Sequence, residues 1–113
     1  MKREQIAKNI VADLKELAAL TSDADGAQRV AWTPTFKKAT EWFTQKMQAA
    51  GTEAAGNSWA KFAGESKECI VIGSHLDSVP DGGWLDGALG VVAGMGIGAY
   101  GLADKKPAKT LYV

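Results

Sequence analysis

The chain has 113 residues, 46% of them hydrophobic and 23% charged, which suits one domain with a modest core and excludes a disordered polar chain. Its 13 basic and 13 acidic residues cancel to a formal net charge of +0, so no nucleic acid or anionic membrane is expected as partner. Cys69 stands alone and cannot form an internal disulfide, so a reducing, cytoplasmic setting is expected.

In chain order, Ile6, Ile10, Leu14 and Leu17 recur at helical spacing, with Lys8, Asp13, Lys15 and Glu16 between them. This predicts an amphipathic helix from about Glu4 to Leu20. The start, Met1 to Gln5, is charged and has no apolar signal core. Thr21 to Gly26 is rich in Ser, Asp and Gly and reads as a loop. Thr33-Pro34 is a helix-start signal, because the hydroxyl caps first-turn amides and proline fits the first helical position. That helix should run to about Ala50, with Phe36, Ala39, Phe43 and Met47 on one face and Gly51 as its stop.

Thr52 to Phe62 alternates loosely around Gly56-Asn57 and suggests a hairpin. Glu68 to Ser74 is a β-branched run that fits a strand buried on both faces, with Cys69 as a small core residue. A loop from His75 to Leu85 follows, then a helix from about Asp86 to Leu102, then a strand over Lys109 to Val113. Strand, helix, strand predicts an α/β fold with a helix-covered, mainly parallel sheet. The final strand meets the C-terminus without a cap or turn, so an unfinished, adhesive sheet edge is expected there. The longest uncharged run, Gly87 to Ala103, is shorter than the roughly 20 residues needed to cross a bilayer, and no membrane span is expected.

The chemistry lies between Gly73 and Gly87, where His75, Asp77, Asp81 and Asp86 gather in the loop after a strand. Ligands of open α/β sheets bind at that end of the strands. Imidazole and carboxylate together suit zinc, manganese or a related divalent ion. Asp77, two residues on along an extended chain, lies where it can hold the second ring nitrogen of His75. Plainer readings stand beside this one: a loop histidine, turn aspartates at 77 and 81, and an N-cap at Asp86. In the next helix Gly90, Gly94 and Gly98 form a stripe whose cost in helix propensity points to close packing on the sheet.

The segment Val71-Ile72-Gly73-Ser74-His75-Leu76-Asp77-Ser78-Val79-Pro80, with Gly83-Trp84-Leu85-Asp86-Gly87-Ala88-Leu89-Gly90-Val91, resembles the zinc-peptidase-like amidohydrolases. It is most similar to the group of N-carbamoyl-L-amino-acid hydrolase, allantoate amidohydrolase and β-ureidopropionase. Arg29-Val30-Ala31-Trp32-Thr33-Pro34 and Gly56-Asn57 match more weakly. The resemblance implies His75 as ligand of one metal, Asp86 as a carboxylate bridging two, and Asp77 as the orienting acid behind His75. It implies two divalent ions, zinc or manganese, cobalt or nickel, and a small-molecule substrate with a linear, non-peptide C–N amide bond.

The resemblance also implies elements that 1–113 does not contain: a glutamate pair after the next strand, two further histidines, and a lid and dimerisation domain. The chain is therefore expected to be the N-terminal part of a catalytic domain, inactive by itself. Gly96 stands near where relatives carry a glutamate. Two alternatives remain: a degenerate, non-catalytic α/β module that self-associates as a homodimer, or a dipeptidase or aminopeptidase of the same superfamily.

Overall fold

A computed structural model describes residues 1–49, 51, 53–55 and 58–113. Helix α1 spans Arg3–Thr21, and α2 spans Pro34–Ala49. The expected cap of α2 is present, with Thr33 Oγ1 accepting from the Phe36 amide at 3.3 Å. Between the helices lies a two-stranded hairpin, β1 (Ser22–Asp23) with β2 (Gly26–Ala27), where the sequence suggested only a loop. The expected second hairpin is β3 (Glu53–Ala55) with β4 (Trp59–Phe62), paired antiparallel. Its expected turn residues, Gly56 and Asn57, lie outside the described residues.

The α/β class holds. Strand β5 (Ser66–Val71), helix α3 (Ala88–Gly96) and strand β6 (Lys109–Tyr112) form the βαβ unit, and β5 pairs parallel with β6. The sheet is mixed, however: its order is β3-β4-β6-β5, and the other two pairings are antiparallel. This order reverses two expectations. Strand β6 is interior, flanked by β4 and β5, so the edges among the described residues are β3 and β5. Strand β5 is also not buried on both faces. Ile70 is 51% and Val71 58% exposed, and Cys69 is exposed instead of in the core. An apolar run records affinity for burial, but strand order decides whether neighbours cover it.

The core lies between the helices and one face of the sheet. Leu14 and Leu17 of α1, Phe43 and Met47 of α2, Phe62 of β4, Val92 and Met95 of α3 and Leu111 of β6 form one buried cluster. The glycine stripe does what its spacing suggested. A Cβ at Gly90 would stand 2.7 Å from Ser74 Cβ, one at Gly94 2.9 Å from Val113 Cγ1, and one at Gly98 2.2 Å from Phe62 Cζ. Helix α3 therefore rests on the sheet at backbone distance, and the apolar contact offsets the propensity cost of its glycines. After Gly96 it widens into a π-helical turn, Ile97–Gly101, so the expected single helix to Leu102 ends in a bulged last turn.

Candidate metal centre

His75 to Asp86 leaves the end of β5 and runs to the start of α3, at the rim of the sheet. His75 Nδ1 lies 3.0 Å from the backbone oxygen of Asp77 and 3.2 Å from its carboxylate Oδ1. Neither oxygen of an ionised Asp77 donates, so Nδ1 carries the proton that both accept. In the neutral ring this leaves the lone pair on Nε2. Nε2 faces Asp86 Oδ1 at 3.8 Å. Two electron-pair donors thus face each other with no hydrogen between them. Their separation is less than the sum of two metal–ligand bonds, about 4 Å, so one divalent ion can reach both. Both groups are open to solvent, Asp86 by 66% and His75 by 52%. The donor set fits zinc or a related divalent ion, with Asp77 as the acid that fixes the tautomer of a ligating imidazole.

Asp86 is not the helix cap that its position allowed. The cap of α3 is Gly87, at φ 70, and no side chain caps the helix. A Cβ at Gly87 would stand 2.3 Å from the His75 carbonyl oxygen and 2.5 Å from ring atoms Cε1 and Nδ1. Only glycine serves both the left-handed backbone and the close approach of the imidazole.

The loop is clamped from below by residues 27–29. Ala27 and Gly82 exchange backbone bonds of 2.8 and 3.0 Å, and the Ser78 amide donates to the Arg29 carbonyl at 2.8 Å. Gln28 donates to Asp81 Oδ1 at 2.7 Å and accepts from the Asp81 amide at 3.1 Å. The Arg29 side chain is fully buried: Nε donates to the Leu76 carbonyl at 2.6 Å, and the guanidinium also reaches Thr21 Oγ1 at 3.4 Å and the Asp86 carbonyl at 3.5 Å. Burial pulls its pKa below the ordinary arginine value, against the opposing pull of the Asp86 and Asp77 charges.

Comparison with known proteins finds similar chains among the amidohydrolases. An N-carbamoyl-L-amino-acid amidohydrolase of Paenarthrobacter aurescens is 34% identical over 95 residues, covering 79% of this chain and 23% of that protein. An allantoate amidohydrolase of Bacillus subtilis is 35% identical over 102 residues, covering 83% of this chain and 25% of that protein. The crystal structure of a hydantoinase/carbamoylase family amidase from Burkholderia multivorans has a TM-score of 0.86 at 28% identity, covering 94% of this chain and 28% of that one. The chain is similar to these amidohydrolases over most of its own length. It spans about a quarter of the length of these relatives. No family model matches it.

Within this chain, three of the four loop candidates come together, and the fourth does not. Asp81, at φ 54, turns to Gln28, and its carboxylate groups with those of Asp23 and Asp25, ligand atoms within 4.8 Å of one another. That exposed trio is held by ordinary turn bonds: Asp23 Oδ1 accepts from Gln28 at 3.0 Å and from the Asp25 amide at 2.9 Å. Arg29 is the site residue that pattern reading did not single out. Its signal was faint: an arginine beside the apolar Val30-Ala31-Trp32, in a segment already similar to relatives.

Proposed function

We propose that this chain supplies one histidine and one bridging aspartate to a two-metal centre that hydrolyses linear, non-peptide amide bonds, as in N-carbamoyl amino acids or allantoate. The observation that carries the reading is the lone pair of His75 Nε2 facing the Asp86 carboxylate at 3.8 Å, while Asp77 occupies Nδ1. His75 and Asp86 would hold the ions, and Asp77, on Nδ1, would keep the ligating face of the ring outward. Divalent ions bound there would polarise the substrate carbonyl and acidify a water at neutral pH. The relatives' names support the substrate class.

A catalytic zinc takes about three protein ligands, and this chain offers His75 and Asp86 with a single histidine in all. We therefore expect the isolated chain to bind metal weakly and to turn nothing over. Among the described residues no helix is long and apolar enough to cross a membrane.

The test is metal titration of the chain beside hydrolysis assays with an N-carbamoyl amino acid, allantoate and a dipeptide. Zinc binding that His75→Ala abolishes supports the metal reading, and binding indifferent to that change overturns it. Stoichiometric metal with turnover would overturn the incompleteness, and cleavage of the dipeptide alone would move the chain to the peptidase side of the superfamily. The exposed edge of β5 favours self-association as a second reading. A discrete, metal-free dimer on gel filtration would support it.

A further inference from the structure

We infer that Arg29 is a positioning residue for the His75–Asp86 pair, tying both ends of the ligand loop to one rigid point beneath it. The inference rests on reading that pair as metal ligands. Arg29 is a buried cation whose acceptors are neutral: the carbonyls of Leu76 and Asp86 and the hydroxyl of Thr21. Among the described residues no carboxylate pairs with it at contact distance, which is unusual for a buried charge. What its acceptors share is their place. Leu76 follows His75 directly, and the second carbonyl belongs to Asp86 itself.

A guanidinium is a planar fork with fixed donor directions, so bonds to both carbonyls fix their mutual position as well as holding them. The backbone of 27–29 is itself joined to 78–82, so the fork has a rigid base. Lysine has no such fork and cannot impose that spacing. A neutral isostere would leave both carbonyls without their donor. The Asp77 and Asp86 carboxylates reach out to solvent, so the charge of Arg29 balances the acidic loop from within while the ligand faces stay open.

The test uses the full chain labelled with nitrogen-15. His75 is the single histidine, so one imidazole spectrum reports the centre. In the metal-free chain its ring should be the Nδ1–H tautomer, and added zinc should move Nε2 more than Nδ1. In Arg29→Met the tautomers should mix and zinc affinity should fall by about tenfold or more, the usual effect of losing a group that orients a ligand. Amide signals of β4 and β6 report whether the fold persists. A folded Arg29→Met with the tautomer and zinc affinity of the parent overturns the inference and leaves Arg29 as core packing.

Should Arg29→Met not fold, Arg29→Lys decides by the same two readouts. Should neither fold, the unmutated chain decides. Its Arg29 Nε–H, buried against the Leu76 carbonyl, must exchange slowly and shift as zinc is added; fast exchange, or indifference to zinc that does move His75, overturns the assignment. Failure of His75 itself to respond to zinc in the parent chain refutes the metal reading alone, because the metal-free tautomer still tests Arg29.

Discussion

At the seam of α1 and α2, Asp13 is buried and accepts hydrogen bonds from Lys46 Nζ at 3.0 Å and Tyr100 Oη at 2.6 Å. Lys46 also pairs with Glu16 at 2.6 Å, and Glu16 accepts from Trp42 Nε1 at 3.1 Å. At the rim of the sheet the arrangement is inverted. There the buried charge is a cation, Arg29, and the acids Asp77 and Asp86 point outward around one imidazole. The first cluster closes on itself, so its energy goes into holding α1, α2 and the π turn together. The second leaves electron pairs unanswered at the surface, so it has valence to offer a ligand.

Breaking the closed cluster should have the largest effect. Asp13→Ala leaves the Tyr100 hydroxyl without its acceptor and Lys46 with Glu16 alone, and we expect a loss of about 2 kcal/mol in urea unfolding. A loss below about 1 kcal/mol would mean that the seam is wetter than its contacts imply. Next comes Gly87→Ala, which forces a side chain into a left-handed backbone against the His75 carbonyl. It should cost about 1–2 kcal/mol and disturb the His75 ring signal, linking stability to the centre at this one position.

Alkaline unfolding sharpens the contrast further. Burial, and then the Asp13 hydrogen bond, push the Tyr100 phenol from 10.0 up to about 12. Its folded-state pKa is raised, so its contribution is complete below pH 10 and is lost as the pH rises through about 12. Lys46 is also raised: burial lowers it, but its bonds to Glu16 and Asp13 outweigh that, and its contribution fades in the same direction. Tyr100→Phe should therefore cost about 1 kcal/mol at neutral pH and flatten the stability profile between pH 10 and 12. A slope unchanged in Tyr100→Phe would assign it to another group. The smallest effect belongs to the open cluster: His75→Ala should change stability by no more than about 0.5 kcal/mol while abolishing the zinc response. A large destabilisation there would mean that the imidazole is structural.

The parts of the fold that were legible are those written in local periodicity. The face of Ile6, Ile10, Leu14 and Leu17, the Thr33-Pro34 start and the stripe of Gly90, Gly94 and Gly98 each state a helix and the side it buries, and α1, α2 and α3 follow them. Asp13 shows where this stops. The same pattern set it among polar residues of α1, yet partners from α2 and the π turn bury it. Of the centre, His75, Asp77 and Asp86 were legible because one short loop carries all three. Asp81 was grouped with them for the same reason, and a bond to Gln28, 53 residues away, draws it off.

By itself, then, the sequence determined the helices, the βαβ order and the grouping of His75, Asp77 and Asp86 in one loop, because each depends on residues a few positions apart. Only the tertiary structure decided that β6 lies inside the sheet, that Cys69, Ile70 and Val71 lie exposed at its edge, and that Arg29 sits beneath the ligand loop. Those outcomes depend on which distant segments come to lie side by side. Burial and hydrogen bonding are properties of that assembled neighbourhood, and no local pattern encodes them.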